Sequence, residues 1–144
     1  MTSTPPRHDS PRTGIEVMKY HRRYRAELRE LLYRSYRSHV HLDWNETDSW
    51  LEAEKASVLL AWEGRRLVGA IAAAEPIDGT CWIRIAAIVD DAPYIPIMQA
   101  LWSVLKLDLR ALQVHHVAIL MLREWLPEVL ASVGFAEQEW IVTL

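Results

Sequence analysis

The chain of 144 residues has one cysteine, Cys81, so it cannot form an internal disulfide framework. A reducing, cytoplasmic setting is the default for such a chain. No apolar run approaches the roughly 18 residues that span a bilayer. The first 14 residues, rich in Pro, Ser, Thr and Arg, lack the apolar stretch of a secretory signal and read as a disordered leader. Glycine is scarce. Only five are present, and none lies between Gly79 and Gly134. No P-loop and no G-x-S-x-G nucleophile turn can be traced. The net charge of -3 is unevenly spread: residues 1–40 hold nine basic and four acidic residues, and the rest hold seven and fifteen. An acidic main body argues against general nucleic-acid binding.

What is present is an ordinary globular composition, 51% hydrophobic and 24% charged, long enough for one domain with a real core over residues 15–144. Residues 15–20 alternate as a first strand. Tyr24, Leu28, Leu31, Leu32 and Tyr36 share one face of a helix, with Arg22, Arg23, Arg25 and Arg29 mostly off that face. Residues 39–46 read as a loop, and Ser49-Trp-Leu-Glu52 has capping-box spacing for a short second helix. Three strands follow, at 57–62, 67–74 and 81–89, separated by turns at 63–66 and at Asp78-Gly79. After a loop holding Pro93 and Pro96, a helix is expected over 97–112, with Pro96 at its first position. A strand at 115–121, a short helix at 126–133 ended by Gly134, and a terminal strand at 139–144 complete the chain. The expected fold is α/β, with a mixed, mostly antiparallel six-stranded sheet and about four helices.

The segment Leu130-Ala-Ser-Val-Gly134-Phe135 and the hairpin Trp62-Glu-Gly-Arg-Arg-Leu-Val-Gly69, taken with the order strand, two helices, three-strand meander, helix, strand, helix, strand, resemble the GNAT superfamily of N-acetyltransferases. The resemblance covers about residues 15–144. It implies acetyl-CoA as cofactor and a small-molecule or peptide amine as acceptor; the charge and hydropathy already argue for neither nucleic acid nor membrane as partner. It also implies a cofactor split between the fourth and fifth strands of the family, with the pyrophosphate on the N-terminus of the helix after the fourth. That maps the cofactor site onto Ile88, Val89, Tyr94, Ile95, Pro96, Ile97 and Met98, with Arg123 at the end of the fifth strand.

The family motif Q/R-x-x-G-x-G/A is degenerate here. In one register its three positions fall on Tyr94, Ile97 and Gln99; in the next, on Ile95, Met98 and Ala100. Only Ala100 fits. Asp90 and Asp91 add negative charge nearby, and Pro93 and Pro96 each remove an N–H. The tyrosine that serves the family as general acid corresponds to Leu130, and the fourth strand offers Arg84 where a glutamate often stands. The catalytic residues are therefore unassigned. A second reading is a non-catalytic domain of the same fold that binds a partner, or pairs as a homodimer, through its Trp and Arg surfaces.

The remaining candidates have plainer explanations. Asp43, Glu46 and Asp48 could hold a cationic amine but also make an ordinary polar loop. His39-x-His41-x-Asp43 has ligand-type residues at loose spacing with no Cys nearby. His115 and His116, adjacent in a strand, face opposite ways, and no metal is expected. Cys81 reads as packing. Trp62, Trp82 and Trp140 are expected in the core; Trp44 and Trp50 could line a pocket or an interface.

Overall fold

The computed structural model describes residues 14–40, 51–52, 56–120 and 125–136. The first strand, β1, is Ile15–Lys19; a 3-10 turn, Arg22–Tyr24, leads into α1, Arg25–Arg34. Then come the strands β2 (Arg37–Val40), β3 (Ser57–Glu63), β4 (Arg66–Ala73) and β5 (Thr80–Ile88). The helix α2 (Tyr94–Ala111), the short strand β6 (His116–Ala118) and the helix α3 (Leu126–Ser132) close the described chain. The sheet order is β1-β3-β4-β5-β2, with β6 also on β5. All pairings are antiparallel except β5 with β6. This is the expected mixed, mostly antiparallel six-stranded sheet, with three helices among the described residues.

The strands alternate, so each face of the sheet buries its own cluster. Leu59, Ile71, Ile83 and Ile88 meet Ile97, Leu101, Leu105 and Leu126 from α2 and α3. Leu60, Ala70, Ile85 and Ala87 meet Leu28 and Leu31 from α1. Gly69 lies directly beneath the side chains of Ile97 and Leu101 of α2. A Cβ there would stand 2.7 Å from the Ile97 side chain and 3.3 Å from the Ala87 carbonyl oxygen. A β-bulge interrupts the pairing of β4 with β5, where Ala72 faces Ile85 but Ala73 faces Ile83. Arg84 is the extra residue, and it divides β5 into two halves.

The expected turns form with the expected backbone. Asp78 and Gly79 both have positive φ, 51° and 75°, as a two-residue type I′ hairpin turn requires. Gly134 has φ 98° and ends α3 in a Schellman arrangement. Phe135 N–H donates to the Leu130 carbonyl and Gly134 N–H to that of Ala131.

Several expectations are corrected. The start of the supposed loop at 39–46 belongs to a strand, because Arg37–Val40 pairs with the free edge of β5. The first helix ends at Arg34, so Tyr36 is not on its buried face and is 84% exposed. The helix expected from 97 begins at Tyr94. Pro96 is thus its third residue, still within the turn where a missing N–H breaks no helical bond. Trp82 is not core: it is 43% exposed. The strand expected over 115–121 is described only as His116–Ala118. The leader, the capping box at Ser49, the terminal strand at 139–144, Trp44, Trp50, Trp140, His41, Asp43, Glu46, Asp48 and Arg123 lie outside the described residues.

Candidate functional site

The site forms where β5 ends and α2 begins. Ile88 is fully buried at the end of β5, and the Val89 N–H donates to the Val68 carbonyl. A helix leaves its first N–H groups without helical acceptors. At α2 the cap residue is Pro93, no side chain caps the turn, and Pro96 also lacks an N–H. The donors left are the N–H groups of Tyr94 and Ile95. Ile97 and Met98 turn their side chains into the core, where both are fully buried. An 18-residue helix also places a partial positive charge at this end.

A cation stands beside it that the sequence did not point to. Arg37, on β2, donates from Nη1 to the carbonyls of Asp90 and Ala92, both at 3.4 Å. Its guanidinium lies over the Tyr94 ring, 4.2 Å from the centroid. The Tyr94 hydroxyl in turn donates to Glu128 Oε2 on α3 at 3.1 Å. That carboxylate raises the Tyr94 pKa through its hydrogen bond and its charge.

The two acids before α2 are engaged on the other side of the sheet end. Asp90 Oδ1 accepts from the Tyr36 N–H at 2.9 Å, and Asp91 Oδ1 pairs with Arg66 at 2.6 Å. The hydrogen bond from Arg66 holds the Asp91 carboxyl below its ordinary range. Both acids line a cleft of about 480 Å³ beside α1, together with Glu27, Glu30, Arg34 and Arg66. Four carboxylates face two guanidiniums there, so the cleft is net negative.

The residues at the start of α2 therefore fit an anion in part: two free N–H groups, an uncapped helix end and a guanidinium, with the nearby carboxylates occupied elsewhere. The edge of β5 is a different matter. Beyond the Arg84 bulge it is covered by β2, in the register Arg37↔Ile88 to Val40↔Ile85. Before the bulge, Thr80–Trp82 pairs with β6. The β4 edge of β5 is taken, since Ala74 N–H donates to the Trp82 carbonyl, so β2 and β6 share the opposite edge.

The other candidates separate from this place. Leu130 is buried in the α3 core, so α3 offers no hydroxyl there. Cys81 is buried at the far half of β5, and its Sγ donates to the Ala74 carbonyl. His39 is 2% exposed on β2, while His115 and His116 are exposed. No group of three metal-ligating side chains is assembled among the described residues. No helix among them is long and apolar enough to cross a membrane.

No family model matches the sequence. No curated protein matches it by sequence. Solved structures do match the fold. An aminoglycoside acetyltransferase, AAC(6')-Iy, in complex with a bisubstrate analogue of CoA, is 12% identical with a TM-score of 0.69, over 90% of this chain and 96% of that one. The Escherichia coli ribosomal-protein-S18-alanine N-acetyltransferase is 12% identical with a TM-score of 0.68, over 87% and 79%. The aminoglycoside 6'-N-acetyltransferase AAC(6')-Ih from Acinetobacter baumannii is 16% identical with a TM-score of 0.66, over 90% and 96%. The chain has the GNAT fold.

Proposed function

We propose that this chain transfers an acetyl group from acetyl-CoA to a small amine. The observation that supports the reading best is the uncapped start of α2 with Arg37 beside it, at the end of β5 in a GNAT fold. When bound, acetyl-CoA supplies a thioester whose carbonyl carbon an unprotonated amine can attack. The N–H groups of Tyr94 and Ile95 would hold its pyrophosphate, helped by the α2 dipole. Arg37 would supply the positive charge that the motif positions lack. Ile88 and Val89 would border the cofactor, Pro96, Ile97 and Met98 would shape the turn beneath it, and Arg123, outside the described residues, is the remaining candidate from the sequence.

The α1-side cleft is the place we assign to the acceptor. Its excess of carboxylates favours a cation, and a carboxylate stabilises the protonated form of an amine. An acceptor held there by one ammonium must therefore offer a second, unprotonated amine to the thioester. A small molecule carrying several amines meets both needs. The solved structures of this fold include aminoglycoside acetyltransferases, a substrate class of that kind.

Two measurements test the reading. Acetyl-CoA at a hundredfold excess over its Kd should stabilise the native chain by about 2.7 kcal/mol, seen as a rise in Tm. Acetylation should then be faster on compounds with several amines than on matched monoamines. No shift in Tm at millimolar acetyl-CoA, CoA or a longer acyl-CoA overturns the proposal.

A further inference from the structure

We infer that β2 is a gate on the cofactor split, hinged at Arg37, and that residues 38–40 must leave the edge of β5 before a CoA can seat. The inference rests on the acetyltransferase reading above. The pantetheine arm of CoA is an extended chain carrying amides. Such a chain is received most readily by an open strand edge, whose backbone groups supply its hydrogen bonds. The edge that leads to the start of α2 is Ile85–Ile88, and β2 is already paired to it. The parallel strand β6 reaches only Thr80–Trp82, before the Arg84 bulge. One edge thus has two claimants, and the chain's own strand holds it in this conformation.

The start of β2 is held by side-chain contacts as well as by its backbone pairing. At its start, the Tyr36 N–H is bonded to Asp90, and Arg37 is bonded to two carbonyls and stacked on Tyr94. At its far end, Val40 is 38% exposed. Peeling from Val40 toward Ser38 frees the backbone of Ile85 to Ala87 and leaves Arg37 at the head of α2, where the proposed pyrophosphate needs it. The movement uncovers His39, now 2% exposed. The open form is therefore the minor one, and the observed affinity for CoA is the intrinsic affinity reduced by its population.

The test locks the gate. Ser38 and Ala87 stand directly opposite each other, a placement that puts Cα atoms about 4.5–5.5 Å apart and within disulfide reach. The double variant Ser38→Cys with Ala87→Cys is titrated with CoA by calorimetry, oxidised and reduced. The expected result is that oxidation weakens binding at least tenfold and reduction restores it. Equal binding by both forms overturns the gate and leaves the acetyltransferase reading standing. Absence of binding by the unmodified chain removes both. Amide exchange on the unmodified chain gives a readout free of any substitution. CoA should speed exchange at residues 38–40, whereas unchanged or slower exchange there overturns the gate.

Discussion

The guanidinium of Arg37 lies 4.2 Å from the centroid of the Tyr94 ring, which fixes the edge strand β2 to the first turn of α2. The contact puts a cation where an anion would need one, and it comes from 57 positions earlier in the chain. Arg37→Ala should raise the Kd for CoA about tenfold or more. It should also lower stability by about 1–2 kcal/mol, since a half-buried cation–π contact and two long hydrogen bonds to carbonyls are lost with it. Arg37→Lys keeps the charge but loses the planar stack and fork, so its Kd should fall between the two. Calorimetry with CoA and urea denaturation separate the two effects. An unchanged Kd in Arg37→Ala removes the residue from the site.

Glu27 is the test of the acceptor cleft. It lines that cleft from α1, on the opposite side of the sheet end from the α2 turn. Glu27→Gln should raise the KM for a multiply charged amine several-fold and leave the Kd for CoA unaltered. A monoamine acceptor should notice the change less. Steady-state kinetics with both acceptors distinguish this from a general loss of fold, which would harm both alike.

The sequence showed the scaffold more clearly than the site. The helix α2 was legible from the helical spacing of its apolar residues, and β3 to β5 from short apolar runs bounded by turns at Gly64 and Gly79. β2 was not legible. Arg-Ser-His-Val lacks the apolar alternation of a half-buried strand, and it is extended because the distant edge of β5 accepts it. Arg37 was missed for the same reason, since its partners at Asp90 and Ala92 are tertiary neighbours. The charges of Asp90 and Asp91 were legible as an obstacle to an anion. That Tyr36 and Arg66 engage them on the α1 side is information only the fold holds.

Gly69 should be intolerant of even one added carbon. A Cβ would lie 2.7 Å from Ile97 Cγ2 and 3.3 Å from the Ala87 carbonyl oxygen. The side chain of Ile97 is fully buried and the carbonyl belongs to β5, so neither has open space to retreat into. Gly69→Ala should cost about 1–3 kcal/mol, the range for overpacking a core. Because Ile97 lies in the first turn of α2, the same substitution should also weaken CoA binding. Denaturation and calorimetry on the one variant check both, and a neutral result would show that α2 can slide on the sheet.

The Tyr94–Glu128 pair predicts a pH signature. Hydrogen bonding to Glu128 raises the tyrosine pKa, since ionising the phenol would break the bond and set two negative charges together. Glu128→Gln removes that charge, so the Tyr94 pKa should move down toward its ordinary value. Ultraviolet titration of the native chain against Glu128→Gln, with Tyr94→Phe to identify the signal, reads this shift. An unmoved titration means that the hydroxyl does not hold Glu128 in solution.

Cys81 offers a prediction that reports on the core itself. Burial pushes its thiol up to about 11, because the thiolate would lose its hydration inside the sheet. Thiolate is the reactive form, so the native chain at pH 8 should resist a thiol reagent that modifies it at once in denaturant. The same shift sets a trend in stability. An unfolded cysteine ionises near about 8.5, while the folded one keeps its proton to about 11. Between these values the folded state binds more protons than the unfolded state. Stability contributed by this group is therefore intact below the lower value and declines as pH rises, by up to about 1.4 kcal/mol per pH unit. Urea titrations at pH 8, 9 and 10 on the native chain and on Cys81→Ala measure this decline. It should be steeper in the native chain, and equal slopes would mean that the thiol is open to solvent.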